Sequence, residues 1–437
     1  MMKWLQRTPE KKLNKRDDVM KQISKIRGIK DTYSFLKPTE DELHDPYLLK
    51  NIEDASNRII RAIANNERIL VTYDPDADGL TATTVMRRYL ANYTDNVDYI
   101  YGERSEGHGI FEMIRANLDK EEDAERLARN KENKKKIKES DLIILIDSSS
   151  NDTKACYFIS KKLGKEIIIL DHHEIEERNP YALIVNPQQK GCKYPNKQLS
   201  GAGVVFKTIQ VMEDTLNQVD PWQYIDLVAV GMYADMMRVD VMENRYLILK
   251  GMKNMKNGGL VRILKSANTD MFRISCTTIG FTIAPLLNGV ARLDELHLAI
   301  DLLMSDEDKE QKRLRLKMHN LNEKRKVIQK ELFERYSQKI DPSKKVLIVM
   351  DDQSSKGFNG LVSQSLSDAY SRPAIVGRLH KGKLSGSFRT YEGFDFKTFI
   401  QGFGHSIVTK GHKGAGGIEI LEEHIPALEE YIEKNMP

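Results

Sequence analysis

Three short apolar runs in this chain each end in acid or imidazole, and that recurrence constrains the fold more than any other feature. Glu166-Ile-Ile-Ile-Leu170 passes directly into Asp171, His172, His173 and Glu174. Glu67 to Tyr73 ends at Asp74, followed by Asp76 and Asp78, and Asp141 to Ile146 ends at Asp147. Consecutive β-branched residues suit strands buried on both faces. The polar groups at their ends would be costly to bury without partners. One such run could be an ordinary strand whose polar end caps the next turn; three of them repeat a design. In an open parallel sheet the C-terminal strand ends are where ligands bind. Clustered carboxylates repel one another unless a cation sits between them. The pattern points to a metal site with more than one ion.

At 437 residues the chain is too long for a single core and predicts two domains. With 68 basic and 64 acidic residues, the net charge of +4 gives no argument for nucleic-acid binding by itself. Cys156, Cys192 and Cys276 have no paired spacing, which fits a reducing compartment and no structural zinc. The opening Met-Met-Lys-Trp-Leu-Gln-Arg lacks the apolar core of a signal peptide. No run reaches the roughly 18 apolar residues of a membrane span. A cytoplasmic location without membrane contact is the expectation.

Residues 1–45 are polar and read as a partly helical extension. Pro46 to Asn65 predicts one helix, with Leu48, Leu49, Ile52, Ala55, Ile59, Ile60 and Ile63 on its apolar face. A second helix follows Asp78-Gly79, and Asp95 to Tyr101 reads as a strand. Gly102 to Gly109 is a loop whose glycines suit a close backbone approach or a plain surface turn. The charged stretch 112–140 reads as a solvated helix face. Strands alternating with helices through Asp147 and Asp171 to Pro187 imply a parallel, helix-covered sheet. Asp226 to Asp235 is another apolar stretch, read as a strand ending in an acid. From Asp306, helical spacing among many charges predicts one long helix, closed at Asp341-Pro342. Val346 to Met350 then starts a smaller α/β unit carrying Ser387-Phe-Arg389 and the glycine-rich Gly411 to Gly417.

At this point the residues resemble a known family. Asp74-Pro-Asp76-Ala-Asp78-Gly79, Asp147, Asp171-His172-His173 and Asp235 resemble the four ordered motifs of the DHH phosphoesterases. Within them the chain is similar to the RecJ-like single-strand-specific exonucleases. The stretches that carry this are Arg104 to Gly109, Val185-Asn-Pro187, Leu199 to Phe206, Ile283 to Asn288 with Arg292, Ser387-Phe-Arg389 and Gly411 to Gly416. There are departures. Ala291-Arg292 stands where such chains have Gly-Arg, and Asp147-Ser-Ser-Ser where they have a small residue and glycine. The oligonucleotide-binding barrel that follows in many RecJ proteins has no counterpart.

The resemblance implies a parallel-sheet DHH domain over 46–305, a connecting helix over 306–342 and a smaller α/β DHHA1 domain over 343–437, with the active site in the cleft between them. It implies two ions, Mn2+ or Mg2+. Asp74 and Asp76 would hold one, Asp78, His172 and Asp235 the other, and Asp147 would bridge them. His173 would sit beside the scissile phosphate, with Asp171 orienting the histidines. Any of these acids could instead cap a helix, Asp78 ahead of Gly79 being the best case. Arg104, Arg292, Ser387 and Arg389 are implied phosphate contacts, and Gly411, His412, Lys413 and Gly414 would bind the strand's end. The implied activity is 5′→3′ hydrolysis of single-stranded DNA. The alternatives are a phosphodiesterase of RNA, short oligonucleotides or dinucleotides, and a catalytically inactive scaffold.

Overall fold

The computed structural model describes residues 16–116, 118, 124–354, 356–391, 393–404 and 407–436; of the N-terminal extension, residues 1–15 lie outside them. Five apolar runs form one parallel sheet. They are β1 (Ile69–Tyr73), β2 (Val97–Tyr101), β3 (Leu142–Ile146), β4 (Glu166–Leu170) and β5 (Leu183–Val185), in the order β2-β1-β3-β4-β5. Every residue of β1 and β3 is buried, because helices cover both faces. Alternation divides the strands between two cores. Ile69, Val71, Tyr73, Leu142, Ile144 and Ile146 face one, and Leu70, Ile143 and Leu145 face the other. From β1 the chain crosses to β2 on one side, then returns past β1 to β3 on the other. The carboxyl ends of β1 and β3 therefore flank a topological switch point, where a crevice opens. Asp74 and Asp147 follow those two strands.

Two expectations are corrected here. The stretch before Ile69 is not one helix. Pro46–Leu48 forms a short 3-10 turn, and the helix proper is Ile52–Ala64. Asn51 separates them with φ 68°, its side-chain amide held by the Ile184 carbonyl of β5 at 2.8 Å. Asp235 does not end a strand; it caps the C-terminus of the helix Ile225–Ala234. All residues from Ile225 to Met232 are buried. A helix apolar all round has no period that separates it from a buried strand.

The helix Asp308–Ser337 is 30 residues long, about 45 Å at 1.5 Å per residue. Leu314 and Met318 belong to the core of the first sheet, whereas Tyr336 packs with Leu347, Val349, Val362 and Leu366 in the second unit. That unit has a mixed sheet of β6 (Leu347–Met350), β7 (Ala374–His380), β8 (Lys383–Arg389), β9 (Val408–His412) and β10 (Ala415–Leu421), in the order β6-β7-β8-β10-β9. Only β6 and β7 run parallel. Lys381 and Gly382 join β7 to β8 with φ 50° and 72°, the left-handed pair a tight hairpin requires. The two units touch where Arg292 Nη1 donates to the Gly357 carbonyl at 3.0 Å. No helix among the described residues is long and apolar enough to cross a membrane.

Candidate active site

The turn after β1 is built by its own carboxylates. Asp76 Oδ1 accepts the amides of Asp78 and Gly79, both at 3.1 Å, and so caps the helix Ala77–Leu90. Asp76, not Asp78, is therefore the cap. Asp78 instead turns to the start of the helix Gly201–Leu216, accepting from Ser200 Oγ at 2.9 Å and from the Gly201 and Ala202 amides at 2.7 and 3.1 Å. Gly79 is obligatory, since a Cβ there would lie 2.6 Å from the Asp74 carbonyl. Asp74 Oδ2 meets His108 Nδ1 at 2.6 Å.

Asp147 adopts a left-handed backbone, φ 61°, which aims its carboxylate into the crevice. His172 Nε2 lies 3.2 Å from Asp147 Oδ1, 3.4 Å from Asp235 Oδ2 and 3.9 Å from Asp78 Oδ2. Asp171 is fully buried and organises the His172-His173 backbone and the His173 imidazole. Its Oδ1 accepts the His172 amide at 2.7 Å, the His173 amide at 3.2 Å and His173 Nδ1 at 2.8 Å. Against the cost of burial, the facing His173 holds the Asp171 carboxyl well below its usual range. His173 in turn, half exposed, is pushed up to about 10 by Asp171 against a desolvation cost.

Three carboxylates of the cluster, Asp78, Asp147 and Asp235, move the opposite way. Burial and then the Asp76 charge push Asp78 up to about 6, and burial with Asp78 and Asp76 pushes Asp235 up to about 8. Asp147 is raised well above the ordinary range by burial and then by Asp78, Asp76, Asp74 and Asp235. Its buried Oδ1 makes no hydrogen bond within the protein. Like charges forced together around this oxygen, with His172 Nε2 at 3.2 Å as its neighbour, are what a divalent cation would relieve. Three sets of ligand atoms lie within 4.8 Å of one another: Asp74, Asp76 and His108; Asp78, His172 and Asp235; and Asp147, His172 and His173. This carboxylate and imidazole donor set fits Mn2+ or Mg2+. His108 was not expected among the ligands, although its glycine loop had been singled out.

Beside the acids, the arginines converge. Arg104 Nη1 donates to the Pro75 carbonyl at 2.8 Å and lies 3.8 Å from Asp76 Oδ2. Burial, and then the Arg104, Arg389 and Arg325 guanidiniums, push Arg292 down to about 9. Burial and Arg104 likewise lower Arg389, whose Nη1 donates to the Phe388 carbonyl at 2.7 Å. Arg325, from the long helix, is held by the neutral oxygens of Asn322 at 3.0 Å and Gln329 at 3.2 Å. Sequence reasoning missed it, because an arginine in a helix rich in lysine and glutamate carries no local signal.

The glycine-rich stretch is not a loop. Gly411 and His412 belong to β9, and Ala415, Gly416 and Gly417 belong to β10, paired with β9 on one side and β8 on the other. Pairing on both sides occupies the backbone of Ala415 to Gly417, whereas β9 is an edge strand. The turn Lys413-Gly414 lies beside the end of β8, where the Thr390 amide donates to the Gly414 carbonyl at 2.9 Å. Lys413 is exposed and 3.5 Å from Asp395. Ser387 lies on β8 within the paired region, two residues before Arg389. The His412 side chain lies outside what the structure describes.

A family model described as the DHH family, N-terminal domain, matches residues 68–232. The single-stranded-DNA-specific exonuclease RecJ of Bacillus subtilis (strain 168) is 29% identical over 411 residues, covering 90% of this chain and 49% of that protein. The present chain thus spans about half the length of that relative. The SPbeta prophage protein YorK of the same organism, provisionally assigned as a single-strand DNA-specific exonuclease, is 30% identical over 445 residues, 93% of this chain and 72% of its own. Among solved structures, RecJ from Thermus thermophilus in complex with Mn2+ superposes with a TM-score of 0.77 at 25% identity, covering 94% of this chain and 57% of that one.

Proposed function

The chain belongs to the RecJ-like members of the DHH family, and on that premise we propose that it is a metal-dependent exonuclease that hydrolyses single-stranded DNA from its 5′ end. One observation carries the reading. The buried Asp147 Oδ1, without a hydrogen bond, stands among the carboxylates of Asp74, Asp76, Asp78 and Asp235, and Arg104 links that cluster to the other guanidiniums. A phosphodiester laid across the junction would meet guanidiniums on one side and, with divalent ions held by the carboxylates, cations on the other.

Asp74 and Asp76, joined by His108, form one candidate ligand set; Asp78, His172 and Asp235 form the other, with Asp147 between them. Divalent ions held there would neutralise phosphate charge and lower the pKa of a water to the point where it attacks at neutral pH. Asp171 fixes the orientation of the His173 imidazole and holds the His172 backbone beside it. His173, kept protonated by Asp171, places positive charge beside the scissile phosphate. Arg104, Arg292 and Arg389 grip the backbone of the terminal nucleotide, since guanidinium matches phosphate bidentately. Gripping an end next to the cutting centre makes the enzyme an exonuclease.

The test uses a long single strand labelled at its 5′ end and a dinucleotide, each with Mn2+. Mononucleotide release from the long strand, absent in chelator, is the expected result. Cleavage of the dinucleotide alone would replace this reading with the short-oligonucleotide alternative, and inactivity on both would leave the inactive scaffold.

A further inference from the structure

One partly exposed row on a single helix connects the cation cluster, the turn carrying the proposed metal ligands and an aromatic side chain standing in solvent. The π-helical turn Ile279–Ile283 continues into the helix Ala284–Ala291. From Ile283 to Arg292 only Pro285, Asn288 and Arg292 are not buried. These positions share one face by their spacing of three and four, and Phe281 extends the row by another turn. Arg292 lies in the cation cluster. Asn288 Oδ1 accepts the Ala77 amide at 2.9 Å, directly after Asp76. Phe281 is 81% exposed.

The far end of the row also abuts the Asp235 side of the centre. A Cβ on Gly280 would lie 3.1 Å from the Tyr233 ring, and the Tyr233 carbonyl accepts the amide of Met236 at 3.2 Å. Met236, next to Asp235, is 84% exposed. Met236 thus stands in solvent next to Asp235, and Phe281 stands in solvent next to the glycine that packs on Tyr233.

We propose that Phe281, on the side of the centre where Met236 is also exposed, is a stacking platform for a nucleobase of the retained strand, inward of the nucleotide being removed. The inference rests on the functional reading above and adds to it the site that holds a base. The occupant follows from continuity. A strand whose terminal phosphate lies at Arg292 and whose scissile bond lies by Asn288 and the acids has its remaining length directed along this face. Arg292 and Phe281 are about 16 Å apart along the helix axis, so the stacked base is not the terminal one. Aromatic stacking accepts every base, because each has a π-face, which suits an enzyme that must step along any sequence.

Binding of 5′-phosphorylated single strands would be measured in Ca2+, using wild type, Phe281→Ala, Phe281→Trp and Phe281→Leu, and strands with one abasic site moved position by position. In the wild type, removing one interior base should weaken binding about tenfold, and Phe281→Ala should weaken the intact strand by a similar factor. The alanine variant should then be indifferent to the abasic site at that position, Phe281→Trp should restore the difference, and Phe281→Leu should not. Unchanged affinity in Phe281→Ala would overturn the platform, as would an equal loss on a strand without any bases. A wild-type dimer in sedimentation that Phe281→Ala disperses would assign the face to a second copy instead. A wild-type protein that fails to hold the intact strand fails the functional reading itself, whereas one that holds it without any abasic effect fails only the platform.

Discussion

Asp147 concentrates the cost of the centre in one residue. Its backbone is left-handed, its carboxylate is buried, and its charge is opposed by four others. Alanine would add backbone strain to the loss of the oxygen, whereas asparagine tolerates φ > 0. Asp147→Asn is therefore the cleaner probe. It should abolish hydrolysis, yet raise the melting temperature of the metal-free protein, because the repulsion disappears. Mn2+ should stabilise the variant less than the wild type, which a thermal melt with and without the ion reads directly. A melting temperature below wild type in chelator would contradict the repulsion. Gly201 tests the same oxygen from outside, since a Cβ there falls within contact distance of Asp147 Oδ1 and 2.7 Å from Cγ. Gly201→Ala should cost about 1–3 kcal/mol and weaken Mn2+ binding without removing a ligand, measurable by titration calorimetry. The acids were legible because three strand ends repeat them. The need for glycine at 201 was not, because Asp147 and Gly201 meet only in the fold.

At the scale of elements, the Arg104 loop shows what would position the proposed phosphate contact. Glu103 and Glu106 form a reciprocal capping box around its 3-10 turn, and Asp294 accepts Ser105 Oγ at 2.7 Å. Burial and then the Asp294 charge push Glu103 up to about 7. The folded state therefore favours protonated Glu103. This contribution is full below the ordinary carboxylate pKa near 4.5 and is lost as pH rises through about 7. A shift of this size corresponds to at most about 3 kcal/mol. Glu103→Gln should therefore flatten the fall in melting temperature between pH 5 and 8. A wild-type and variant difference that does not change with pH would refute it. The sequence showed this segment as a loop but not its acids as partners, because Asp294 is distant in the chain. The helix Ile225–Ala234 was obscured differently: burial on every side erased the period that would have distinguished it from a strand.

For the whole molecule, the unit of function is a cluster that no single element contains. Arg104 comes from the loop after β2, Arg292 from the end of a helix on the first unit, Arg325 from the long helix and Arg389 from the last residue of β8. Arg104, Arg292 and Arg389 were each legible as a candidate, but their convergence was not, since it requires both units and the helix between them. Gly360 admits Arg389 at close range, a Cβ there lying 2.7 Å from its Nη2. In the free protein these cations repel, so a bound phosphate should stabilise the arrangement between the units. Removing one guanidinium that contacts phosphate should cost about 1.5–3 kcal/mol, on the order of tenfold to a hundredfold in affinity. Arg389→Ala should show that loss for a short 5′-phosphorylated strand held in Ca2+, and the loss should shrink when the 5′ phosphate is absent. Each phosphate contact on a single strand contributes roughly 0.7 to the slope of log affinity against log salt, so the variant's slope should be shallower by about that amount. Arg325→Gln should give the same signature if the long helix takes part in the grip. An undiminished salt slope in Arg389→Ala would mean that the second unit contacts the strand elsewhere and that the four arginines meet for a different anion.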